Sequence, residues 1–496
     1  MFKGILLVCV IVGVVGVAGA NESAIGVDGA RHLLGRTGFA ASAADIRAFA
    51  PLTRSAAAEK IVKAAVDATT ARTPPPAWVS DKPIPVAKLQ AMNREERQAE
   101  QRLNTEHTFE LREWWFREML TTPSPLAEKM TLFWHGHFAT SQQKVRFAPL
   151  MYRQNVLLRS NALGNFGGML RQIGRDPAML IYLDAANSRK EQPNENFARE
   201  VMELFTLGEG QYSERDIKEA ARAFTGWSVD RDSGEFVFRR GFHDYGQKTV
   251  LGKTGAFDGD QIIDILLKKP EAAQFITRKL WKEFISPTPL PSDVERLAAV
   301  FQQSGYNIAK LMRELLASEA FYASENRAAL IKSPVEFVVG TLKTFDIETQ
   351  NLRPFVLASA LLGQNLFTPP NVKGWPGGLA WINSATLLGR KQLLDRLFKS
   401  EDRMDVAMRS VDDMAAANGD VAPPGRDARM RRQLERQMGG IRWNLDKWAS
   451  AYAEPAGIAD MTRVVLPMTP MNTLARGEML ADTVRALVID PAYQLK

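Results

Sequence analysis

The chain has 496 residues, 63 basic against 56 acidic, a formal net charge of +7, five histidines and one cysteine. The charge excess is mild and scattered, and the one dense basic stretch, RDARMRRQLER at 426–436, reads as a solvated helix face. It carries no basic and aromatic platform, so no nucleic-acid partner is expected. The first twenty residues, MFKGILLVCVIVGVVGVAGA, hold one charge, an apolar run and an Ala18-Gly19-Ala20 end. That pattern is a secretory signal peptide cleaved after Ala20, with an uncleaved N-terminal anchor as the alternative. No later segment is long and apolar enough to span a bilayer. The expected location is therefore periplasmic or secreted. Cys9 lies inside the apolar run, so the processed chain would have no cysteine. Disulfides, thiolate metal sites and cysteine nucleophiles are then excluded, and stability must come from the core.

Almost every periodic segment reads as helix. After the Pro-rich loop TPPPAWVSDKPIP, a long charged helix is expected over about 86–120, with Leu103, His107, Leu111 and Trp114 on one stripe. Ser124 should cap the next helix, with Pro125 at its first position. Asn194 can cap a helix that Gly208 stops, and Ser213 with Asp216 has the spacing of a capping box. A β-hairpin is expected at 235–252, where EFVFRR and KTVLG flank GFHDYGQ. Helices then resume at 260–269, 271–285, 292–304, 307–317, 334–345 and 354–363. The Pro/Gly/Asn-rich stretch 364–383 is a long loop anchored by Phe367, Trp375 and Trp381. Residues 401–440 read as a variable insertion before a final helix at 475–488. The expected architecture is mainly α: a multi-helix array over 21–400 with one small β-hairpin and long ordered loops, and a C-terminal segment, 441–496, packed on it.

Four groups of residues could carry chemistry. His135 and His137 flank Gly136 in LFWHGHFATS. On a continuous helix, residues two apart point about 200° away from each other and cannot share a ligand. If Gly136 ends the helix, both imidazoles could turn to one centre; otherwise one is packed and the other exposed. In PNENFAREVMELFTLG, Asn196, Glu200 and Glu203 lie at i, i+4 and i+7 and can converge on a cation or polar ligand. The plainer reading pairs Arg199 with Glu195 and Glu203 on a solvated face. Leu207 falls awkwardly within that polar arc. His243-Asp244 would sit at the hairpin tip, where Asp244 could orient His243 or form an Asx turn. In the long loop, Asn365, Asn371, Trp375, Trp381 and Asn383 could line a sugar or peptide groove, or simply anchor the loop. No phosphate-binding loop, dinucleotide fingerprint, HExxH or GxSxG occurs.

Taken together, RHLLGRTGF (31–39), KMTLFWHGHFATS (129–141), PNENFAREVMELFTLGEGQYSERDIKEAARAFTGW (193–227), FHDYGQKTVLGKTG (242–255), FITRKLWKEF (275–284), SGYNIAKLMRELLASEAFY (304–322), IKSPVEFVVGTL (331–342) and TPPNVKGWPGGLAWINSATLLGR (368–390) resemble the bacterial domain-of-unknown-function 1800 family. The resemblance implies a mostly helical exported protein. It also implies frequent encoding beside a second exported protein similar to the sulfatase and alkaline-phosphatase superfamily. It supplies no catalytic residues.

Two functions fit these observations. One is a metal-dependent hydrolase acting on a polysaccharide or peptide polymer. His135, His137 and Glu200 would hold zinc, manganese or iron. Glu203, or His243 held by Asp244, would act as general base toward metal-bound water. Arg199 would steer an anion, and Asn196, Asn371, Trp375 and Trp381 would contact substrate. The other is a non-catalytic helical scaffold or binding partner of the co-encoded protein.

Overall fold

The computed structural model describes residues 23–398, 443–452, 457–473 and 480–496. The leader expected at 1–20 and the insertion expected at 401–440 lie outside those residues. Helix makes up 64 % of the structure, and the described residues hold two short antiparallel hairpins as their only sheets, so the fold is mainly α. The expected run of helices is present as Gly259–Leu267, Pro270–Phe284, Pro291–Gln303, Ile308–Ala317, Pro334–Thr344 and Arg353–Leu361. Proline stands in the first turn of four of them, where its missing N–H removes no helical bond.

Local chemistry sets the boundaries. The long charged helix is two: Val86–Ala91, then Arg94–Thr121, restarted by a capping box between Asn93 and Glu96. Ser124 does not cap the following helix with its side chain; its hydroxyl donates to the Ala64 carbonyl at 2.9 Å instead. Asn194 caps as expected, accepting from the Phe197 N–H at 2.8 Å. Ser213 and Asp216 form the capping box of Glu214–Ala223.

The expected hairpin over 235–252 does not form. Phe236–Phe238 pairs backward with Trp227–Val229, and Lys248–Val250 pairs forward with Lys253–Gly255. Turn chemistry explains both. The Asp230 carboxylate accepts from the backbone N–H groups of Asp232 and Ser233, and Gly234 has φ 73°, which closes the first turn. Leu251 and Gly252 both have positive φ, the geometry of a two-residue hairpin. GFHDYGQ is therefore a connection between two hairpins and not the tip of one.

Apolar side chains gather in two cores. One joins the N-terminal helices to the segments from Leu158 to Tyr322. The other joins Trp114, Trp115 and Phe116 to the helices from Val335 onward and the C-terminal segment. The Pro125–His137 helix feeds both, through Leu126, Met130 and Trp134 on one side and Leu132 on the other. It is buried nearly all round, as expected only of a helix in the middle of a large protein. Yet it carries Glu128, Lys129, Thr131, His135 and His137, all buried. Each of these must find its partner inside the protein.

Candidate functional site

The central helix runs unbroken through Gly136 and ends at His137. Gly136 has helical backbone, so the two imidazoles point to opposite sides. His135 packs against Trp115 and Phe367, with ring centroids 4.7 and 5.2 Å away. Its Nε2 lies 3.0 Å from the Asn155 amide nitrogen. Arg159 donates to the Asn155 oxygen at 2.7 Å, which leaves the amide N–H₂ to donate to His135. The same Arg159 grips Glu128 through two bonds of 2.7 and 2.8 Å, and Trp115 donates to Glu128 at 2.7 Å. Burial, then the nearby Arg159, pushes the His135 pKa down to about 3. His135 is thus a neutral member of a closed hydrogen-bonded network.

His137 faces the other way, among Phe133, Phe138 and Phe205. Lys279 Nζ lies 2.8 Å from its Nδ1. An ammonium only donates, so Nδ1 accepts and the ring proton is assigned to Nε2, which donates to the Phe205 carbonyl at 3.2 Å. Burial, then Lys279, holds His137 far below its usual pKa. The structure does not bring His135 and His137 to one centre. No group of three or more His, Cys, Asp or Glu side chains with metal-ligand geometry occurs among the described residues. The shared site expected of His135, His137 and Glu200 is not formed, because Gly136 continues the helix.

The NENFARE helix spans Glu195–Met202 and passes into a π turn over Glu203–Leu207, closed by Gly208 at φ 84°. The wider π turn shifts the phase of the side chains toward its C-terminal end. Leu207, which a regular helix would leave on the polar arc, is accordingly buried. Arg199 pairs with Glu214 of the next helix through bonds of 2.8 and 2.6 Å, and not with Glu195 or Glu203. Glu203 accepts from the Tyr212 hydroxyl. Glu200 is buried, and that burial, followed by repulsion from Glu203, raises its pKa. Asn196 is exposed. The helix does meet His137, but through the Phe205 carbonyl and not through its carboxylates.

His243 and Asp244 are adjacent without acting as a pair. His243 is buried with Nδ1 2.8 Å from the Thr225 carbonyl. Asp244 instead binds Arg222 at 2.7 and 3.2 Å, and the Gly246 N–H at 2.8 Å. The Arg222 bond holds its pKa below the usual carboxylate range, against the opposing effect of partial burial. Asp244 therefore pins the connection between the hairpins and does not orient His243.

The long loop folds onto the end of the central helix. Asn371 is exposed and its side chain accepts from the Lys373 N–H at 2.9 Å, an Asx turn. Gly374, at φ 83°, lies so close that a side chain there would run into the Gly136 carbonyl. Trp375 is half-buried beside Gly136, and its Nε1 is buried with no partner among the described residues. Trp381 is buried and packs near Gly363.

Between this loop, the central helix and the Pro270–Phe284 helix lies a cavity of about 370 Å³. Trp375 and Trp381 form part of its wall, with His137 and Gly136. Five lysines line it (Lys129, Lys279, Lys282, Lys373 and Lys496) against two glutamates, Glu283 and Glu336. Lys129 and Lys496 each pair with both glutamates, so those four charges balance. Lys373 pairs at 3.1 Å with Glu209, outside the wall, and Glu200 and Glu203 add to its electrostatic surroundings. Lys282 is exposed and has no partner among the described residues. The lysines on the wall with no carboxylate partner among the described residues are thus Lys279 and Lys282. A second, larger cavity of about 730 Å³ lies beside Arg97, Arg112, Gln142 and Asn365, and includes neither of the two histidines and none of the carboxylates or tryptophans singled out from sequence.

Of the expected residues, the cavity gathers His137, Trp375 and Trp381. Lys279, Lys282 and Glu283 were not expected at a site. Their signal was available in FITRKLWKEF: Lys279, Lys282 and Glu283 lie at i, i+3 and i+4, on one helix face.

The geometry describes a mainly helical protein with a basic, aromatic cavity at the end of a buried polar helix. The chain belongs to the family described as Protein of unknown function (DUF1800), whose model matches residues 32–495. No curated protein and no solved structure matches it.

Proposed function

We propose that the protein is an exported binding protein for an acidic glycan, which enters the cavity between the Trp375 loop and the Pro270–Phe284 helix. The observation that carries this reading is the wall itself. Tryptophan rings suit the apolar faces of sugar rings, and lysines that no carboxylate of the protein pairs suit carboxylate or sulfate groups. The leader-like pattern of residues 1–20 supports export. The resemblance to a family often encoded beside a phosphatase-like exported protein suggests a shared surface polymer as the source of the ligand. A hydrolase built on His135, His137 and Glu200 loses its support, because the imidazoles lie on opposite sides of one helix.

The test is a tryptophan-fluorescence titration with tetragalacturonate and a neutral glucose tetrasaccharide. The acidic ligand should bind about tenfold or more tightly, a difference of about 1.4 kcal/mol, and should weaken with added salt. Equal affinity for the two, or no binding of either, overturns the proposal.

A further inference from the structure

The lysines on the cavity wall are not equivalent. Lys129 and Lys496 face Glu283 and Glu336, and Lys373 faces Glu209. Because Glu283, four residues on, is taken by Lys129 and Lys496, Lys279 makes no ion pair among the described residues. Its Nζ is held by a neutral imidazole, the Nδ1 of His137, with the Phe275 ring centroid 5.2 Å away. An ammonium in such a place gains no ion-pair stabilisation, and the free amine becomes accessible. Burial accordingly draws its pKa down to about 8. Lys282, one turn further along the same helix and on the same wall, keeps a positive charge available for an anion.

We propose that Lys279 is a covalent site, whose amine condenses with the aldehyde or ketone carbon of an anionic ligand drawn into the cavity. This rests on the anion-binding reading above. The Nζ lone pair attacks the carbonyl carbon as the C=O π bond opens, and a proton passes from nitrogen to oxygen to give a carbinolamine. The oxygen then takes up a second proton and leaves as water, while a C=N bond forms. In sum, the lysine ammonium and the carbonyl compound become a protonated imine and water, with no oxidant or reductant. Lys282 would hold the ligand's carboxylate, and His137 is the positioning residue that fixes the amine.

The full chain is incubated with pyruvate, the smallest anionic ketone, or with acetone as its uncharged counterpart, in the presence of cyanoborohydride. Peptide mapping then locates the reduced secondary amine. Lys279 should be labelled about tenfold faster than the exposed lysines, and faster by pyruvate than by acetone. Lys279→Arg should lose that adduct while labelling elsewhere continues. Labelling of wild-type protein spread evenly over exposed lysines overturns the proposal. Tetragalacturonate separates the two readings. If it binds but Lys279 is not preferentially labelled, only the covalent proposal fails. If Lys279 is labelled fast and the oligosaccharide does not slow it, the covalent site stands and the glycan reading fails.

Discussion

The two sides of the Pro125–His137 helix each bury a histidine and treat it differently. On the His135 side, Glu128 and Arg159 neutralise each other, Asn155 joins them to the imidazole, and Trp115 and Phe367 seal the group. Every polar group named there is occupied by the protein itself. On the His137 side, the imidazole takes a bond from an ammonium that has no carboxylate, and the wall opens into a cavity. Paired burial favours a fixed core, whereas donors left beside a cavity are available to a ligand. The same helix thus serves as a structural post on one face and as the floor of a candidate site on the other.

That contrast can be broken by mutation. Arg159→Met leaves Glu128 buried without its counter-charge and should cost about 3–5 kcal/mol in denaturant unfolding. Lys279→Met has no ion pair to lose but removes the bond to His137, and should cost only about 1–2 kcal/mol. Equal losses in the two variants would show that both faces are structural. The pH dependence gives a second measure. The folded pKa of His135 is about 3, below its usual 6.5, so between these values the unfolded chain binds more protons. Stability should therefore fall as pH drops from 6.5 toward 3. His135→Gln should flatten part of that slope in melts across the range. His32, also held near 3, and His137 keep the same sign.

Smaller effects sharpen the cavity side. Gly374→Ala forces a side chain into left-handed backbone and against the central helix; the backbone term alone is about 1–2 kcal/mol. It should lower the melting temperature and weaken ligand binding together. Lys282→Glu should weaken tetragalacturonate about tenfold, or about 1.4 kcal/mol, with unchanged melting. Gly136→Ala should do the opposite of Gly374→Ala. Its added carbon would meet only the Trp375 ring at an ordinary 3.7 Å, and alanine favours helix by roughly 0.5–1 kcal/mol. A destabilised Gly136→Ala would mean that the Trp375 loop needs closer approach than the geometry implies.

Much of the backbone was legible because its signals are local. Asn194, Ser213 with Asp216, and the first-turn prolines act within three or four residues, and the helices start where they stand. The hairpin was misplaced because its partner strand, Trp227–Val229, lies before the segment read as a strand pair. The turn residues Asp230 and Gly234 carried that information. Leu207 on a polar arc was a true signal of irregularity, and the π turn over Glu203–Leu207 accounts for it. A continuous helix was expected to expose one of its two histidines, and both are buried because two cores close over it.

The mainly helical fold and most helix boundaries follow from the order of residues alone, since capping, proline placement and apolar period depend on neighbours along the chain. Tertiary structure alone decided which polar residues meet. Gly136 is compatible with a helix or a break, and packing of the Trp375 loop against a continuous helix selects the first. Lys279 and His137 are 142 positions apart, and no local rule could pair them. Their contact arises because the Pro270–Phe284 helix and the central helix border the same cavity.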